Sequence, residues 1–230
     1  MIGSPHHHFE TIGSTNAHAR ELADQGAPHG TVVTSAEQTE GRGRQGRAWA
    51  TPAGKALAWS AIVPLKGEVP GLFPLRAGLA ACQAVEDLGG GVAEVKWPND
   101  VMLDGKKCAG VLVEGRPQDG WAVVGIGINL SIERDEFPPE IRDRATSVGS
   151  GATLETATDA LNRALTRWLD EPDPEVLAEL NRRDYLAGKE VTWEGGSGTA
   201  SGIASDGGLI VTTDDGAEQL HAGEVHLDPA

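Results

Sequence analysis

Residues 92–129 read VAEVKWPNDVMLDGKKCAGVLVEGRPQDGWAVVGIGIN, and this stretch decides the fold. It contains four apolar runs rich in valine and isoleucine, the residues that favour β-strands. The turns between the runs are short, and such links favour antiparallel neighbours over helical crossovers. The stretch therefore predicts consecutive strands of one sheet. These strands are Val92–Trp97, Val101–Leu103, Cys108–Val113 and Trp121–Ile128.

Helix and strand patterns flank this stretch on both sides. Thr31–Thr34 is β-branched and Ala56–Val63 is continuously apolar, so both are predicted strands. Elsewhere apolar residues recur at spacings of three and four, which predicts amphipathic helices. Together these elements predict an α+β domain with a mixed, largely antiparallel sheet and packed helices. The predicted helices are Ser14–Ala23, Leu75–Leu88, Leu154–Trp168 and Val176–Leu186.

The chain changes character at about Lys189, where short β runs begin. They are broken by Gly195-Gly196, Asp206-Gly207-Gly208 and Asp214-Asp215-Gly216, which are strong hairpin signals. This tail is predicted to be a small all-β barrel. The sequence therefore predicts two domains, residues 1–186 and 187–230.

The composition argues against several classes of protein. The 230 residues carry a formal net charge of −15, unlike a protein that grips nucleic acid by its phosphates. No run approaches the roughly 18 apolar residues of a membrane span. Cys82 and Cys108 form no C-x-x-C pair, which favours buried thiols in a reducing cytoplasm over a zinc or disulfide site. His6–His8 fits either a metal ligand or a frayed, solvated terminus, and we favour the terminus.

Gly41–Arg47, with the sequence GRGRQGR, has neither helical nor strand periodicity and is predicted to be a loop. Glycines let backbone N–H groups approach an anion closely, and arginines bind phosphate or carboxylate with two parallel hydrogen bonds. Composition leaves three interpretations open: a loop that binds a small anion, a solvated loop, and a nucleic-acid-binding segment. A Walker phosphate loop does not match, because no Gly-Lys-Ser/Thr follows.

Three further segments place polar groups near strand ends. Lys96–Asp100 is either ordinary turn chemistry or a displayed site. Lys107 opens an apolar strand and either extends to water or serves the edge of a site. Gly125–Asn129 has no helix after it, so it is not a Rossmann fingerprint. No nucleophile or metal cluster stands out, which suits a reaction between two bound substrates whose phosphates the protein neutralises.

Taken together, these segments resemble the bacterial biotin–protein ligase family, the biotin–[acetyl-CoA-carboxylase] ligases. They occur in the family's order and spacing between about residues 10 and 130, and the tail resembles the family's SH3-like C-terminal domain. The resemblance implies a fold like that of class II aminoacyl-tRNA synthetases and biotin ligases. The matching segments are Ser14–Asn16, Glu37–Trp49, Lys96–Asp100, Lys107 with Ala109–Glu114, and Gly125–Asn129.

The resemblance implies an ATP-dependent ligase that activates biotin as biotinyl-5'-AMP and transfers it to a lysine of a biotin carboxyl carrier protein. ATP and Mg²⁺ would be co-substrate and activating ion, and no residue is assigned as a metal ligand. Water destroys the mixed anhydride, so the glycine–arginine loop is expected to close over it. The resemblance assigns catalysis to Lys107, Arg44 and Lys96. It assigns biotin binding to Ser14, Thr15, Asn16, Gln38, Arg42, Gly43, Arg44, Lys107 and Gly110. It assigns ATP or adenylate binding to Trp49, Lys96, Asn99, Asp100 and Asn129.

Partners and rival functions are weighed on the same residues. Only 13 residues precede Ser14, too few for the helix-turn-helix domain of some family members, so no DNA binding is expected. A monomer and a homodimer both stay open. The rivals are a lipoate ligase, a nucleic-acid-binding module and a non-catalytic biotin or nucleotide sensor. The polar groups of Ser14–Asn16 and Gln38 favour the ureido ring of biotin over an apolar dithiolane.

Overall fold

The structure is a computed structural model that describes residues 1–49, 52–65 and 71–227. The main sheet has seven strands: β1 His6–Ile12, β2 Val32–Gln38, β3 Ala56–Pro64, β4 Ala93–Lys96, β5 Asp100–Leu103, β6 Lys106–Arg116 and β7 Trp121–Asn129. Their order across the sheet is β1-β2-β3-β7-β6-β5-β4. The β1–β2 pair is parallel and the other pairs are antiparallel, which confirms the predicted mixed, largely antiparallel sheet.

Within the described residues, four α-helices accompany the sheet: α1 Thr15–Asp24, α2 Leu72–Asp87, α3 Leu154–Asp170 and α4 Asp173–Arg182. The main core lies between one sheet face and the buried sides of α2 and α3. On the opposite face, α1 packs over Val33, Ile62 and Val123 through a separate apolar cluster. Helix α1 covers only part of that second face, and the remainder is open to form a site.

A second sheet follows α4 and has five antiparallel strands in the order β11-β10-β9-β8-β12. Their bounds are β8 Glu190–Trp193, β9 Gly196–Ile203, β10 Leu209–Thr213, β11 Gly216–Leu220 and β12 His226–Leu227. Apolar residues of this SH3-like unit, such as Val191 and Val211, belong to the main core cluster. The Trp97 Nε1–H donates to the Gly207 carbonyl at 3.0 Å, which fastens the unit to the turn between β4 and β5. The predicted small β domain is therefore present and packs on the main sheet.

The expected frayed terminus at His6–His8 is wrong. These residues open β1, which pairs in parallel with β2 from the His6–Val32 position onward. The imidazoles of His6 and His8 bond the Thr34 hydroxyl at 2.8 and 3.0 Å. The error has a physical reason: an edge strand tolerates polar side chains, so its sequence lacks the apolar signal of a buried strand.

The fourth helix ends earlier than its apolar spacing predicts. Helix α4 ends at Arg182, and Leu186 lies beyond it. Residues 183–185 pair with β4 instead, since Val95 N–H donates to the Arg183 carbonyl and Tyr185 N–H donates to the Val95 carbonyl. Leu186 is still fully buried, so its apolar character reflects the core rather than a longer helix.

Candidate active site

A cleft of about 830 Å³ opens on the sheet face that carries α1. It runs from the N-terminus of α1, across glycines of β6 and β7, to the β4–β5 turn and the C-terminal unit. Every residue that the sequence singled out as a site residue lines this one cleft. They are Ser14, Thr15, Asn16, Gln38, Arg42, Gly43, Arg44, Trp49, Lys96, Asn99, Asp100, Lys107, Gly110 and Asn129.

One end of the cleft is built from neutral polar groups. Ser14 caps α1 and accepts a hydrogen bond from Ala17 N–H at 3.4 Å. Next to it, Thr15 donates from both its backbone N–H and its hydroxyl to Gln38 Oε1, at 2.8 and 3.1 Å. These bonds hold the start of α1 against the end of β2. The result is a preorganised polar floor at which a ligand's amide-like groups can bind without a large reorganisation.

Asn16 is buried beneath this floor, and its side chain already has protein partners. Its Nδ2 donates to Glu114 Oε2 at 2.8 Å and to the Leu112 carbonyl at 3.4 Å. Its Oδ1 lies 2.7 Å from Ser60 Oγ. A Cβ on Gly125 would fall 2.1 Å from Asn16 Oδ1, so only glycine lets the amide approach β7 this closely.

The opposite end of the cleft is cationic. Lys107 Nζ lies 2.5 Å from Asp100 Oδ1, and the two side chains are 34% and 25% exposed. The pair is brought together across β5 and β6, where the register shifts between Val101 and Met102. A bulge of this kind redirects side chains at the edge of a sheet. Lys96 is the cross-strand partner of Asp100 at the β4–β5 turn, so the Asp100 charge acts on both lysines.

Burial and neighbouring cations alter two basic groups of the cleft. Burial lowers the pKa of Lys96, the positive charges of Lys107, Arg144 and Arg47 lower it further, and Asp100 opposes them. Burial also lowers the pKa of Arg44. Cations crowded in this way are in excess over the local acids. They are stabilised when a polyanion such as a triphosphate binds among them.

Trp49 lies across a slot that two glycines create. Gly110 of β6 and Gly127 of β7 are direct cross-strand partners. A Cβ on Gly127 would fall 2.3 Å from Trp49 Nε1, and one on Gly110 would fall 3.1 Å from the same indole. The Lys107 ammonium lies 5.4 Å from the indole centroid, within range of a cation–π contact. The glycines of the Gly125–Asn129 segment therefore make room for side chains rather than for a nucleotide-binding helix.

The glycine–arginine loop is folded into a tight turn over this region. Gly43 N–H donates to the Arg47 carbonyl at 2.7 Å, and Trp49 N–H donates to the Gly41 carbonyl at 2.9 Å. Arg44 reaches Asn99 Oδ1 at 3.3 Å and the Gly223 carbonyl at 3.4 Å. The loop thus contacts both the β4–β5 turn and the C-terminal unit, as a lid over the cleft would.

The segment after β7 forms the third wall. Asn129 donates to the Thr146 carbonyl at 2.9 Å, and Thr146 N–H donates to the Lys107 carbonyl at 2.9 Å. Ile132 and Phe137 are buried beside the cleft and form a small apolar cluster with Ala56. An apolar wall next to a cationic end is suited to a ligand that carries both a flat ring and phosphates.

Comparisons with known proteins agree with this geometry. The model of the biotin/lipoate A/B protein ligase family matches residues 8–131, which is more than half of the chain. The chain belongs to the biotin/lipoate A/B protein ligase family. The model of the biotin protein ligase C-terminal domain matches residues 187–228.

Individual members of the family are similar over nearly the whole chain. The biotin–[acetyl-CoA-carboxylase] ligase of Mycobacterium tuberculosis is 33% identical, covering 94% of this chain and 86% of that protein. The enzyme of the same name from Paracoccus denitrificans is 33% identical, covering 92% and 96%. The structure of the Aquifex aeolicus biotin protein ligase in complex with biotin and ATP is 29% identical, with a TM-score of 0.83, covering 99% of this chain and 100% of that one.

Sequence reasoning missed several groups of this family member's cleft. Glu224 of the C-terminal unit forms an ion pair with Arg47, and it lines the cleft together with His226. Ile132 and Phe137 were also missed, although a phenylalanine inside an acidic, proline-bearing stretch is a usable signal. For Glu224 no local signal exists, because its position at the site depends on how the second sheet packs on the first.

Proposed function

We propose that this chain is a biotin–protein ligase. It joins biotin and ATP into biotinyl-5'-AMP with release of diphosphate, and then transfers the biotinyl group to a lysine of a biotin carboxyl carrier protein with release of AMP. The observation that carries the proposal is the polarity of a single cleft. A neutral hydrogen-bonding floor at Thr15 and Gln38 and a cationic end at Lys96 and Lys107 share one cavity.

The first step brings two anions together. An oxygen of the biotin carboxylate attacks the α-phosphorus of ATP, and the bond to the departing diphosphate breaks. Lys107 and Arg44 are proposed to neutralise the carboxylate and the α-phosphate, and Lys96 the leaving diphosphate. The described residues at this end of the cleft present cations and amides to the reacting groups, which supports catalysis by positioning and charge neutralisation.

In the second step the amine of the carrier lysine attacks the acyl carbon, and the acyl–phosphate bond breaks with AMP as leaving group. The mixed anhydride must survive until the carrier arrives. The loop at Arg42–Arg44 already closes on Asn99 and the C-terminal unit, and we assign it the exclusion of water.

The remaining assignments extend these roles. Biotin's ring is placed at Ser14, Thr15 and Gln38, and its side chain along Gly110. The adenylate is placed at Asn99 and Asn129, against the indole of Trp49. These assignments follow from the position of each residue along the cleft and from the resemblance of its segment to the family. Asn16 and Gly43 complete the proposed biotin-binding set.

Mg²⁺ is proposed to arrive with ATP. Within residues 1–49, 52–65 and 71–227, no group of three or more His, Cys, Asp or Glu side chains is arranged to hold a metal ion. Asp100 is a carboxylate at the cationic end of the cleft. A single carboxylate near the phosphate site fits an ion bound largely by nucleotide phosphates, as Mg²⁺ often is. When bound, Mg²⁺ neutralises phosphate charge.

The wider assignments are also proposals. The carrier is identified by the acetyl-CoA-carboxylase ligases to which the chain is similar. A cytoplasmic location is supported by two buried free cysteines. The net charge of −15 is the reason for proposing no DNA-binding role. Among the helices of the described ranges, none is long and apolar enough to cross a membrane.

The division into a catalytic domain, 1–186, and an SH3-like domain, 187–230, also remains a proposal. It is supported by the separate sheet that begins at Glu190. Residues 50–51, 66–70 and 228–230 of these two ranges lie outside the described residues. Whether the enzyme is a monomer or a homodimer is left to a direct measurement of its mass in solution.

The test is pyrophosphate release from ATP and Mg²⁺ without carrier, with biotin, with lipoate or with no added acid. Release with biotin alone is the expected result. Biotin is expected because a dithiolane gives the polar floor no hydrogen-bonding group. Release with lipoate alone would therefore show that the substrate assignment is wrong, while the adenylation chemistry would stand. If pyrophosphate is released with neither acid, the assignment of ligase activity is wrong. Salt-dependent binding of nucleic acid, or binding of biotin without turnover, would then decide between the rivals.

A further inference from the structure

We infer that Glu114, which does not line the cleft, is a positioning residue for the cyclic urea of biotin. It holds the amide of Asn16 in one orientation. This orientation directs the single Ser60 proton to Asn16, so Thr15 Oγ1 does not accept from Ser60 when a ligand N–H binds to it. The inference rests on the proposed function, because it concerns the acid-binding end of the same cleft.

The orientation of Asn16 follows from its partners. Asn16 Nδ2 lies 2.8 Å from Glu114 Oε2 and 3.4 Å from the Leu112 carbonyl. A carboxylate and a carbonyl can only accept, so the NH₂ group must face them. Arg20 Nη1 lies 2.6 Å from Glu114 Oε1, so each carboxylate oxygen has a donor of its own. Asn16 Oδ1 is therefore directed at Ser60.

The Ser60 hydroxyl has one proton to donate, and two acceptor oxygens lie within reach of it. Its Oγ, which is fully buried, lies 2.7 Å from Asn16 Oδ1 and 2.8 Å from Thr15 Oγ1. The Thr15 hydroxyl in turn donates to Gln38 Oε1. When a ligand N–H approaches Thr15 Oγ1, Ser60 keeps a complete hydrogen bond to Asn16. Ligand binding therefore leaves no buried donor without a partner.

The opposite orientation of Asn16 would make Thr15 Oγ1 a weaker acceptor for the ligand. With Nδ2 facing Ser60, the Ser60 oxygen would accept from Asn16, and its proton would have Thr15 Oγ1 as the acceptor at hand. A ligand N–H would then have to share Thr15 Oγ1 with Ser60 through the second lone pair of that oxygen, and an oxygen that already accepts one hydrogen bond accepts a second one less strongly. The weaker acceptor should affect the binding of biotin alone. A cyclic urea carries ring N–H groups, whereas the proposed ATP site lies at the other end of the cleft.

The experiment is Glu114→Gln, assayed by biotin- and ATP-dependent pyrophosphate release. Because Arg20 can only donate, it binds the oxygen of the new glutamine amide. The NH₂ group of that glutamine then faces Asn16, so the Asn16 amide must reverse and turn its oxygen toward it. We expect the KM for biotin to rise about three- to tenfold, equivalent to ~0.7–1.4 kcal/mol. The KM for ATP and the kcat should stay within about twofold of the wild type, since ground-state binding of one substrate is what changes.

A double variant separates orientation from loss of charge. In Arg20→Ala/Glu114→Gln the glutamine is free to turn its oxygen back to Asn16, so the KM for biotin should return toward the wild-type value. Arg20→Ala alone is the matched control and should leave that KM unchanged, because the carboxylate still faces Asn16. Arg20 and Glu114 side chains are 41% and 31% exposed, and thermal melts of the variants check that all fold alike.

Three results decide the matter. An unchanged KM for biotin in Glu114→Gln overturns the inference, and so does a double variant no better than the single one. If the wild-type protein releases no pyrophosphate with biotin, the proposed function fails and the inference falls with it. That outcome is distinct, because it appears before any substitution is made.

Discussion

Replacing Lys107 by alanine should abolish most adenylate formation while leaving the fold intact. Lys107 lies at the cationic end of the cleft, with its side chain 34% exposed. An ammonium about 4 Å from a phosphate oxygen contributes about 4 kcal/mol at an effective dielectric near 20, and partial exposure reduces this to about 2–4 kcal/mol. At 1.36 kcal/mol per tenfold, kcat/KM should fall by about 30- to 1,000-fold.

The Asp100 carboxylate adds to the loss. In the wild type it lies 2.5 Å from Lys107 Nζ, and in Lys107→Ala that negative charge would face the incoming anions directly. Asp100→Asn, which changes a residue assigned to ATP binding, should lower kcat/KM in its own right. Partly exposed ion pairs contribute only about 0–1 kcal/mol to folding, so neither variant should lose more than a few degrees of Tm.

The assay is pyrophosphate release with biotin, ATP and Mg²⁺, and no carrier. Lys106→Ala is the matched control, because it removes the same charge from the preceding residue of β6, which does not line the cleft. Near-wild-type kcat/KM for Lys107→Ala, or an equal loss in Lys106→Ala, would refute the reasoning. The first result would mean that this ammonium does not stabilise the transition state, and the second that the cationic end acts through its overall charge rather than through this ammonium.

Three further predictions come from other contacts. Gly127→Ala places a methyl group where Trp49 Nε1 would lie 2.3 Å away, so the indole must move, and ATP KM should rise at least about tenfold with a change in tryptophan fluorescence. Arg44→Gly removes the bonds from the loop to Asn99 and Gly223, so biotinyl-AMP should appear free in solution, as chromatography of the filtered reaction would show. Glu179 accepts from Arg182, which with Arg183 lowers its pKa to about 2 despite burial. Because that pKa is depressed, the ionised Glu179 stabilises the fold fully above about pH 4.5, and this contribution is lost between pH 4.5 and 2. Glu179→Gln should therefore flatten the curve of unfolding free energy against pH in that range. It should also lower the free energy of unfolding by about 2 kcal/mol at pH 7, measured by urea denaturation.

Each of these predictions has a matched control and a contrary outcome. Gly151→Ala adds a methyl group where nothing lies within 4 Å, and should change neither KM nor fluorescence. For Arg44→Gly, total pyrophosphate release serves as the control. Adenylate that stays bound at normal turnover would contradict the role of the loop as a lid. Glu175→Gln, an exposed change on the same helix, is the control and should leave the pH dependence of stability below pH 4.5 unchanged. An equally unchanged pH dependence in Glu179→Gln would mean that the Glu179 ion pairs contribute nothing to stability.

The helices and most strands could be predicted from the sequence because their signals are local. The spacing Leu75, Leu79, Cys82 and Val85 reflects the buried side of α2, and all four side chains are inaccessible in the fold. The polar floor and the cationic end could be predicted in the same way, since their residues sit in compact segments with recognisable order. The polar edge strand β1 was missed because three histidines carry no burial signal, although the sheet pairs them regardless.

The sequence by itself therefore determined the α+β class, the chemical character of the site and the family to which the chain belongs. Only the tertiary structure decided which groups meet. Arg44 contacts a carbonyl 179 residues away, and Asn16 contacts a carboxylate 98 residues away. Such pairs depend on strand register and on the packing of the second sheet against the first. Periodicity and composition record which side of an element is buried, but not what it is buried against.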